Sequence, residues 1–449
     1  MAEITNLSEV RRKRNRKRAG KAFVLILAIL ALTVVLSLMF STRSEYGMDS
    51  FLDLFQQGEG YPVEAPSGKS KGMSELDGLL CVTSDSSLLM YNARGAEIYN
   101  VKHQMADPQS SIRDNMLLMF DQGAKSYALY QKNVPLADGH TDYVIYTGAV
   151  SSKGTFALAT RSEDYLSQVR VYSKNGVEKY TWNYSDKIIS AVALSPSGNK
   201  MAVSGLYTED GTIKSQLLLY NDGELVDTRD FDNALICSLL YVGEGEIRGI
   251  TDQGAFLISD KGKLMGEYDY GSQPLSAYCN TPESTVLLLG DYRQDGGYDV
   301  VALNSEMNRK SSCEIKGNIH TMKADSHNAY ILAGSSYYQV DLNAGEILVN
   351  EASEYLYDLQ PIGKGVFAIT NEEIVRMEQV KGEERGETSV VPEQTLPKDE
   401  LEDWEIEDEE PVTPPVEETP SEEALPEETP VEPEEIIPES GTKPDEPGL

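Results

Sequence analysis

The stretch ALSPSGNKMAVSG, Ala193–Gly205, has two runs of small and apolar residues separated by the segment SPSGN. Proline presets one turn dihedral and glycine accepts a positive φ, so such a segment between two β-forming runs is typical of a hairpin. We predict a strand, a tight turn built on Pro196 and Gly198, and a second strand. This hairpin decides the fold because the chain repeats it.

Eight segments match the second strand of the hairpin, and they start 37 to 46 residues apart. They are GLLCVT (78–83), NMLLMF (115–120), TFALAT (155–160), KMAVSG (200–205), EIRGIT (246–251), TVLLLG (285–290), AYILAG (329–334) and VFAITN (366–371). A third apolar run follows each copy, and most copies end in a more polar fourth run. Four short strands in roughly 40–45 residues is the period of a propeller blade. A β-sandwich has ~7 strands in total and a β-solenoid has shorter coils, so we predict an all-β propeller of four-stranded blades.

The two ends of the repeat region predict how the ring closes. The last copy has no convincing fourth strand, and the first copy begins with a weak inner strand, MSELD (73–77). A strand near GYPVEAP (60–66) would complete the last blade and leave no long unpaired edge. We therefore expect eight blades, with seven as the alternative if the terminal copies pair irregularly.

The N-terminus predicts a membrane anchor. Residues 1–21 form a basic cytoplasmic tail, and residues 22–40 form a transmembrane helix of 19 uncharged residues, which at ~1.5 Å each just spans a ~30 Å hydrocarbon core. Positive flanks stay in the cytoplasm. The residues that we assign to this topology are Arg11, Arg12, Lys13, Arg14, Arg16, Lys17, Arg18 and Lys21. The apolar run exceeds a signal-peptide core of ~7–15 residues and no Ala-x-Ala-like site follows, which favours an uncleaved anchor over a cleaved signal peptide.

Three further regions follow the predicted span: a connector at 41–72, the propeller at 73–381, and a tail at 382–449. The tail holds 12 of the 20 prolines and a net charge of −22, so it cannot offset the entropy of ordering and is predicted to be disordered. Residues 22–381 carry a net charge of −18. Such a body repels phosphates, and we expect no nucleic-acid partner.

The four cysteines show neither a CxxC pair nor a short metal-binding spacing. They are Cys81, Cys237, Cys279 and Cys313. We interpret them as buried small apolar residues, with one disulfide left open.

The sequence contains no catalytic motif of the GxSxG, HExxH, GxxxxGK or GxGxxG type. The four histidines, of which His320 and His327 share one copy, are interpreted as surface or satisfied residues rather than metal ligands. The acid-rich segment DYRQDGGYD (291–299) lacks the EF-hand spacing and is interpreted as a hairpin loop rather than a calcium site. We predict no metal, no cofactor and no enzymatic activity.

Tyrosines beside the loops of neighbouring copies are a candidate binding face. They are Tyr278, Tyr292, Tyr298, Tyr337 and Tyr338. Because tyrosine is a favourable strand residue, we interpret them as strand residues. The acid pair Asp230 and Asp232 gives no basis for a glycosidase assignment from sequence alone.

The segment ISAVALSPSGNKMAVSG (189–205) resembles the strand–turn–strand repeat of WD40-like and TolB-like propellers, with Ser197 and Asn199 departing from their SPDGK-type turn. The whole plan, over about 1–380, is similar to an uncharacterised family of single-pass bacterial membrane proteins with an external propeller. The resemblance implies a bacterial cell-membrane protein with its C-terminal domain outside.

Three functions fit this plan. We favour a non-enzymatic, membrane-anchored extracytoplasmic scaffold whose loops bind a protein or cell-envelope partner. The alternatives are a propeller hydrolase or lyase acting on envelope glycans, which requires acids at the central mouth, and an external sensor. The cytoplasmic segment of about 21 residues is too short to fold on its own, so a sensor would relay through a partner membrane protein.

Overall fold

The computed structural model describes residues 56–291 and 297–377. In these ranges the chain forms 32 β-strands and no helix, arranged as eight antiparallel sheets of four strands each. Each sheet is one blade, and we number the blades along the chain. The prediction of an all-β, eight-bladed propeller is confirmed.

The strands of the first four blades follow one another in the chain. Blade 1 comprises β2 (Ser70–Leu76), β3 (Leu79–Ser84), β4 (Ser87–Tyr91) and β5 (Glu97–Lys102). Blade 2 comprises β6 (Pro108–Arg113), β7 (Met116–Asp121), β8 (Ser126–Gln131) and β9 (Val134–His140). Blade 3 comprises β10 (Ile145–Val150), β11 (Phe156–Thr160), β12 (Ser167–Tyr172) and β13 (Glu178–Tyr184). Blade 4 comprises β14 (Ile188–Leu194), β15 (Lys200–Glu209), β16 (Thr212–Asn221) and β17 (Glu224–Phe231).

The remaining blades follow the same order until the last. Blade 5 comprises β18 (Ile236–Val242), β19 (Glu246–Thr251), β20 (Gly254–Ser259) and β21 (Leu264–Asp269). Blade 6 comprises β22 (Leu275–Asn280), β23 (Thr285–Leu289), β24 (Gly297–Leu303) and β25 (Arg309–Lys316). Blade 7 comprises β26 (Ile319–Ala324), β27 (Asn328–Ala333), β28 (Ser336–Asp341) and β29 (Ile347–Glu351). Blade 8 comprises β30 (Asp358–Ile362), β31 (Gly365–Ile369), β32 (Glu373–Met377) and, from the N-terminal side, β1 (Val63–Glu64).

Strand β1 closes the ring as the sequence predicted. Val63 pairs with Ile374 and Glu64 with Glu373, so the N-terminal segment supplies the fourth strand that the last copy lacks. The ring of Tyr61 lies 4.6 Å from that of Phe367, which packs the same segment onto the last blade. Closure is energetically important because an open blade would leave a hydrogen-bonding edge and an apolar face in water.

Eight apolar clusters hold the blades together, one at each junction between neighbours. The cluster between the last and first blades packs Phe367 and Ile369 against Met73 and Leu80. The ring therefore closes by side-chain packing as well as by strand pairing.

The second strand of each blade is mostly apolar because it has a neighbouring blade on both faces. In β23, Val286 and Leu288 pack toward blade 7, and Leu287 and Leu289 pack toward blade 5. Alternate side chains point to opposite faces of a strand, so burial on both faces requires a continuous apolar run. The outer strands have one solvated face, which explains why the fourth run of most copies is more polar.

The alternating strand directions give the propeller two distinct faces. We call the face on which the inner strands begin the entry face; the connections between blades and the turns between second and third strands lie there. We call the opposite face, with the turns between first and second strands, the exit face.

The hairpin that decided the fold forms β14, a turn at 195–199, and β15. Gly198 has φ +75° in this turn, and a Cβ at this position would lie 2.6 Å from Cβ of Thr155 in blade 3. Glycine is therefore required twice, by the backbone conformation and by the neighbouring blade.

Two details differ from the sequence-based predictions. Strands β1 and β2 both begin before residue 73, so part of the expected connector belongs to the propeller. Cys81 and Cys279 are buried and Cys313 is half-buried, but Cys237 is exposed, because it lies at the entry-face end of inner strand β18. All four thiols are free, with no disulfide among them.

Candidate functional site

The predicted membrane residues, Arg11 to Lys21 and the span at 22–40, lie outside the described residues, as does the tail at 382–449. Within the described ranges no helix is long and apolar enough to cross a bilayer. The anchor and the tail therefore stay predictions.

The residues considered for metal binding do not come together in the described part of the chain. No three His, Cys, Asp or Glu side chains there converge in a way that could hold a metal ion. His320 lies exposed on β26, and the ring of His327 hydrogen-bonds to Ser326 (2.6 Å). Of the segment 291–299, residues 292–296 lie outside the described ranges.

The interpretation of the tyrosines as strand residues is confirmed for four of the five. Tyr298 and Tyr337 are buried in β24 and β28, and Tyr338 donates to the carbonyl of Lys316. Tyr278 is the most accessible of the four, at 37 % exposure on inner strand β22. Tyr292 lies outside the described residues.

A cavity of about 810 Å³ opens at the centre of the exit face. The ends of the inner strands and the turns that follow them line it. Its charged lining residues are Glu75, Asp77, Arg113, Asp114, Glu283 and Asp325. Five carboxylates and one guanidinium make this mouth electronegative, so it attracts cations and repels acidic polymers.

Contacts to other blades fix the basic groups around this mouth. Arg113, at the end of β6, donates to the carbonyl of Tyr241 in blade 5 (2.9 Å), which links two non-adjacent blades. Lys132 lies 2.6 Å from the carboxylate of Asp77. These pairings hold the turns in place and reduce the excess negative charge only in part.

A buried arginine supports the exit face beside the cavity. Arg248 on β19 is 4 % exposed and donates from one terminal nitrogen to the carbonyl of Thr281 in blade 6 (2.9 Å). Burial lowers the pKa of Arg248 against the opposing effect of Glu246 and Glu283. The Arg248 guanidinium, through its hydrogen bond to Thr281, holds the turn that carries Glu283, one of the cavity acids.

On the entry face, the hairpin of β15 and β16 projects beyond its blade. Each strand has ten residues, the longest in the described part of the propeller. Strand β14 pairs with β15 no further than Leu206, and β17 pairs with β16 no further than Ser215. The last three residue pairs of the hairpin therefore extend into solvent.

One side of this hairpin is apolar and exposed. Leu206 lies between its two partners, Ile188 on β14 and Ser215 on β16, so all three side chains point to the same side. Ile213 is two residues from Ser215 and therefore points to that side as well. Ser215 accepts a hydrogen bond from the amide of Ile236 in blade 5 (3.0 Å), so this side faces blade 5. Ile188 and Ile213 are 49 % and 53 % exposed, which leaves a bare apolar surface at the blade 4–blade 5 junction. We call Ile188, Leu206 and Ile213 the apolar side.

The other side of the hairpin is polar and carries more acids than bases. Tyr207 lies under the ammonium of Lys187 (5.2 Å to the ring centroid), and its hydroxyl bonds to Asp230 (3.2 Å). Lys214 is ion-paired with Glu209 (2.8 Å) and Asp232 (2.9 Å). The acid pair at 230 and 232 thus belongs to this outer surface and lies away from the central mouth.

Comparison of the sequence with protein families gives a match to the family of unknown function DUF5711, over residues 59–378. The match covers the propeller from β1 to the end of β32. The chain belongs to this family. The prediction of an uncharacterised propeller family is confirmed to that extent. No curated protein matches the sequence.

Three solved structures are similar to this DUF5711 chain at very low sequence identity. BamB from Moraxella catarrhalis matches with a TM-score of 0.45 and 10 % identity, over 70 % of this chain and 99 % of BamB. The Pan2 WD40 domain of Neurospora crassa matches with a TM-score of 0.42 and 12 % identity, over 69 % and 89 % of the two chains. The Dos1 propeller matches with a TM-score of 0.45 and 10 % identity, over 66 % and 84 %.

The projecting hairpin of this DUF5711 chain was not predicted from the repeat, which ended the second strand at Gly205. The signal was present in Asp210–Gly211, a dipeptide typical of tight hairpin turns. Both residues have positive φ, 52° and 76°, as that turn requires. The central acids were also missed, because they come from different copies, up to 250 residues apart in the sequence.

Proposed function

We propose that this protein is a membrane-anchored, extracytoplasmic scaffold that binds a protein partner through the entry face of its propeller. The observation that carries the proposal is the apolar side of the β15–β16 hairpin, where Ile188 and Ile213 are each about half exposed. Exposed apolar surface next to projecting backbone is costly unless a partner covers it. The predicted anchor at 22–40 supports the cellular location.

The test is capture of partners from crosslinked cells with the full-length protein and two charge variants. Ile188→Asp with Ile213→Asp places charge on the apolar side. Leu225→Asp with Val226→Asp is the matched control, because these residues of outer strand β17 in the same blade are 53 % and 49 % exposed. We expect the first variant to lose an envelope partner that the control retains. Equal recovery by both variants, or no partner above background with the unmodified protein, contradicts the proposal.

The central mouth supports a second candidate, a hydrolase or lyase acting on envelope glycans. The observation in its favour is the set of acids around the exit-face cavity, including Glu75 and Glu283. Such enzymes act through carboxylates. Cleavage of purified envelope glycans by the full-length protein, abolished in Glu75→Gln or Glu283→Gln, would favour this candidate; no cleavage would remove it.

A further inference from the structure

The end of the β15–β16 hairpin has a free strand edge. The pairs Tyr207–Lys214, Thr208–Ile213 and Glu209–Thr212 extend beyond the reach of β14 and β17. Backbone groups on such an edge have no partner strand within the blade and can pair with an added one. The edge lies directly beside the apolar side.

The two edges of the hairpin differ in access. On the β16 edge, the ion pair between Lys214 and Asp232 holds the connection to blade 5 nearby. On the β15 edge, the chain that leads into β14 bends at Ser185 and Asp186, and β14 begins only at Ile188, opposite Leu206. Lys187 packs against Tyr207 at the start of this space, and no strand of the described chain pairs with the β14 side of Thr208 and Glu209, where another strand can add.

The register of the hairpin decides which backbone groups face that space. The two-residue turn at Asp210–Gly211 makes its flanking residues, Glu209 and Thr212, an inward hydrogen-bonded pair. Inward and outward groups alternate along an antiparallel strand, so Thr208 directs its N–H and C=O outward. An added strand would bond to both groups of Thr208.

The same register assigns the side chains of the added strand. A residue opposite Thr208 falls on the side shared by Thr208 and Ile213, which is the apolar side. The residues before and after it in the added strand fall on the polar side, which holds Tyr207 and Glu209. The site thus fits an extended segment in which apolar residues alternate with another class of residue.

Charge identifies that other class. On the polar side, Lys187 is ion-paired with Asp186 (2.6 Å), and Lys214 is ion-paired with two acids. In the described part of the chain, the hydrogen bonds that Asp230 accepts come only from Tyr207 and Gln216, which are both uncharged. The acids exceed the bases, so basic residues are complementary to this side.

We propose that an extended segment of a partner polypeptide adds as a strand to β15 at Tyr207–Glu209, with aliphatic residues on the apolar side and alternating Lys or Arg on the polar side. This inference rests on the proposed function, since it specifies the partner segment for the same surface. The main-chain hydrogen bonds supply affinity, and the alternation supplies specificity.

The test is titration of the full-length protein in detergent with a labelled peptide of about ten residues in which valine and lysine alternate. Fluorescence anisotropy reports binding. We expect Thr208→Pro, which removes the outward N–H without removing a hydrogen bond between β15 and β16, to weaken binding by about tenfold or more, and Thr208→Ala to leave binding unchanged. The peptide with glutamate in place of lysine should also bind at least about tenfold more weakly.

Two modified peptides test the backbone contact without altering the protein. N-methylation of the valines blocks the N–H groups that face Thr208, whereas N-methylation of the lysines blocks groups on the far edge of the added strand. Loss of binding with the first peptide alone supports strand addition. Equal binding by both peptides, or unchanged binding to Thr208→Pro, overturns it.

The proposed function and the inference can fail separately. If Ile188→Asp with Ile213→Asp loses its cellular partner while the unmodified protein ignores the valine–lysine peptide, the scaffold function stands and strand addition is wrong. If neither the partner nor the peptide binds, both are wrong.

Discussion

Ser197 of blade 4 donates both of its polar hydrogens to Glu244 of blade 5: its backbone N–H lies 2.7 Å from one carboxylate oxygen, and its hydroxyl lies 2.8 Å from the other. Lys200 adds a hydrogen bond to the carbonyl of Glu244 (2.8 Å) and an ion pair with Asp260 (2.6 Å). The turn that defines the repeat is thus also a contact between neighbouring blades. Its serines therefore contribute to the packing of the ring.

This contact predicts a pH dependence of stability. Partial burial raises the pKa of the Glu244 carboxyl, but the hydrogen bonds from Ser197 and the charge of Lys200 outweigh it, and the pKa is lowered below the ordinary 4.5. A lowered folded-state pKa contributes stability above about 4.5 that is lost as the pH falls through the folded-state value. Glu244→Gln should therefore destabilise the protein by about 1 kcal/mol or less at pH 7. The difference in unfolding free energy should shrink toward pH 3, and a constant difference across that range would contradict the pairing.

Gly198 provides a test of blade packing. Gly198→Ala adds a methyl group 2.6 Å from Cβ of Thr155 in a residue with φ +75°. We expect a loss of about 2–4 kcal/mol in denaturant unfolding. Gly243→Ala is the matched control, because Gly243 also has positive φ (+64°) and its added Cβ meets no atom within 4 Å. The control should lose only about 1–2 kcal/mol from backbone strain; equal losses would show that the contact with Thr155 is unimportant.

Asp358 links three blades around the closure of the ring. Its carboxylate, 9 % exposed as a residue, accepts from the amide of Met73 in blade 1 (2.8 Å) and from the hydroxyl of Thr321 in blade 7 (2.9 Å). Asp358→Ala leaves both donors without this acceptor and should cost about 3 kcal/mol, whereas Thr321→Val should cost about 1 kcal/mol. Chemical denaturation of the full-length variants measures both values. A cost for Asp358→Ala no larger than that for Thr321→Val would contradict the three-blade link.

Cys237 offers a test of the cellular location. It is the exposed cysteine of the four, while burial raises the pKa of the Cys279 thiol to about 11 and keeps that thiol inert. Desolvation, followed by the charge of Asp252, also raises the pKa of Cys237, so its labelling should accelerate as the pH rises above neutral. A membrane-impermeant maleimide should label intact cells through Cys237, and Cys237→Ser should abolish the labelling. Labelling that requires cell lysis would contradict the external location.

The sequence predicted the features that depend on local pattern. The continuous apolar runs, such as Thr285–Leu289, are packed from both sides, and this requirement is visible in the residues themselves. The missing fourth strand of the last copy predicted closure by the N-terminal segment, because a blade with three strands has an unpaired edge.

Contacts between distant segments could not be predicted in the same way. Arg113 reaches Tyr241 across 128 positions of sequence, and Asp358 reaches Met73 across 285. No local pattern encodes such distances; they follow from the curvature of the closed ring. The exposure of Cys237 could not be predicted for the same reason: it depends on how far along the inner strand the entry face lies, which the closed ring determines.

Binding of a protein partner at the apolar side of the β15–β16 hairpin is the central claim, and site-specific photocrosslinking in cells tests it most directly. A photoreactive residue would replace Ile213 on the apolar side or, in a matched control, Val226 on the outer strand of the same blade; the two side chains are 53 % and 49 % exposed. We predict a discrete crosslinked protein adduct from position 213 and none from position 226. Equal adducts from both positions, or no adduct from position 213, would contradict the account.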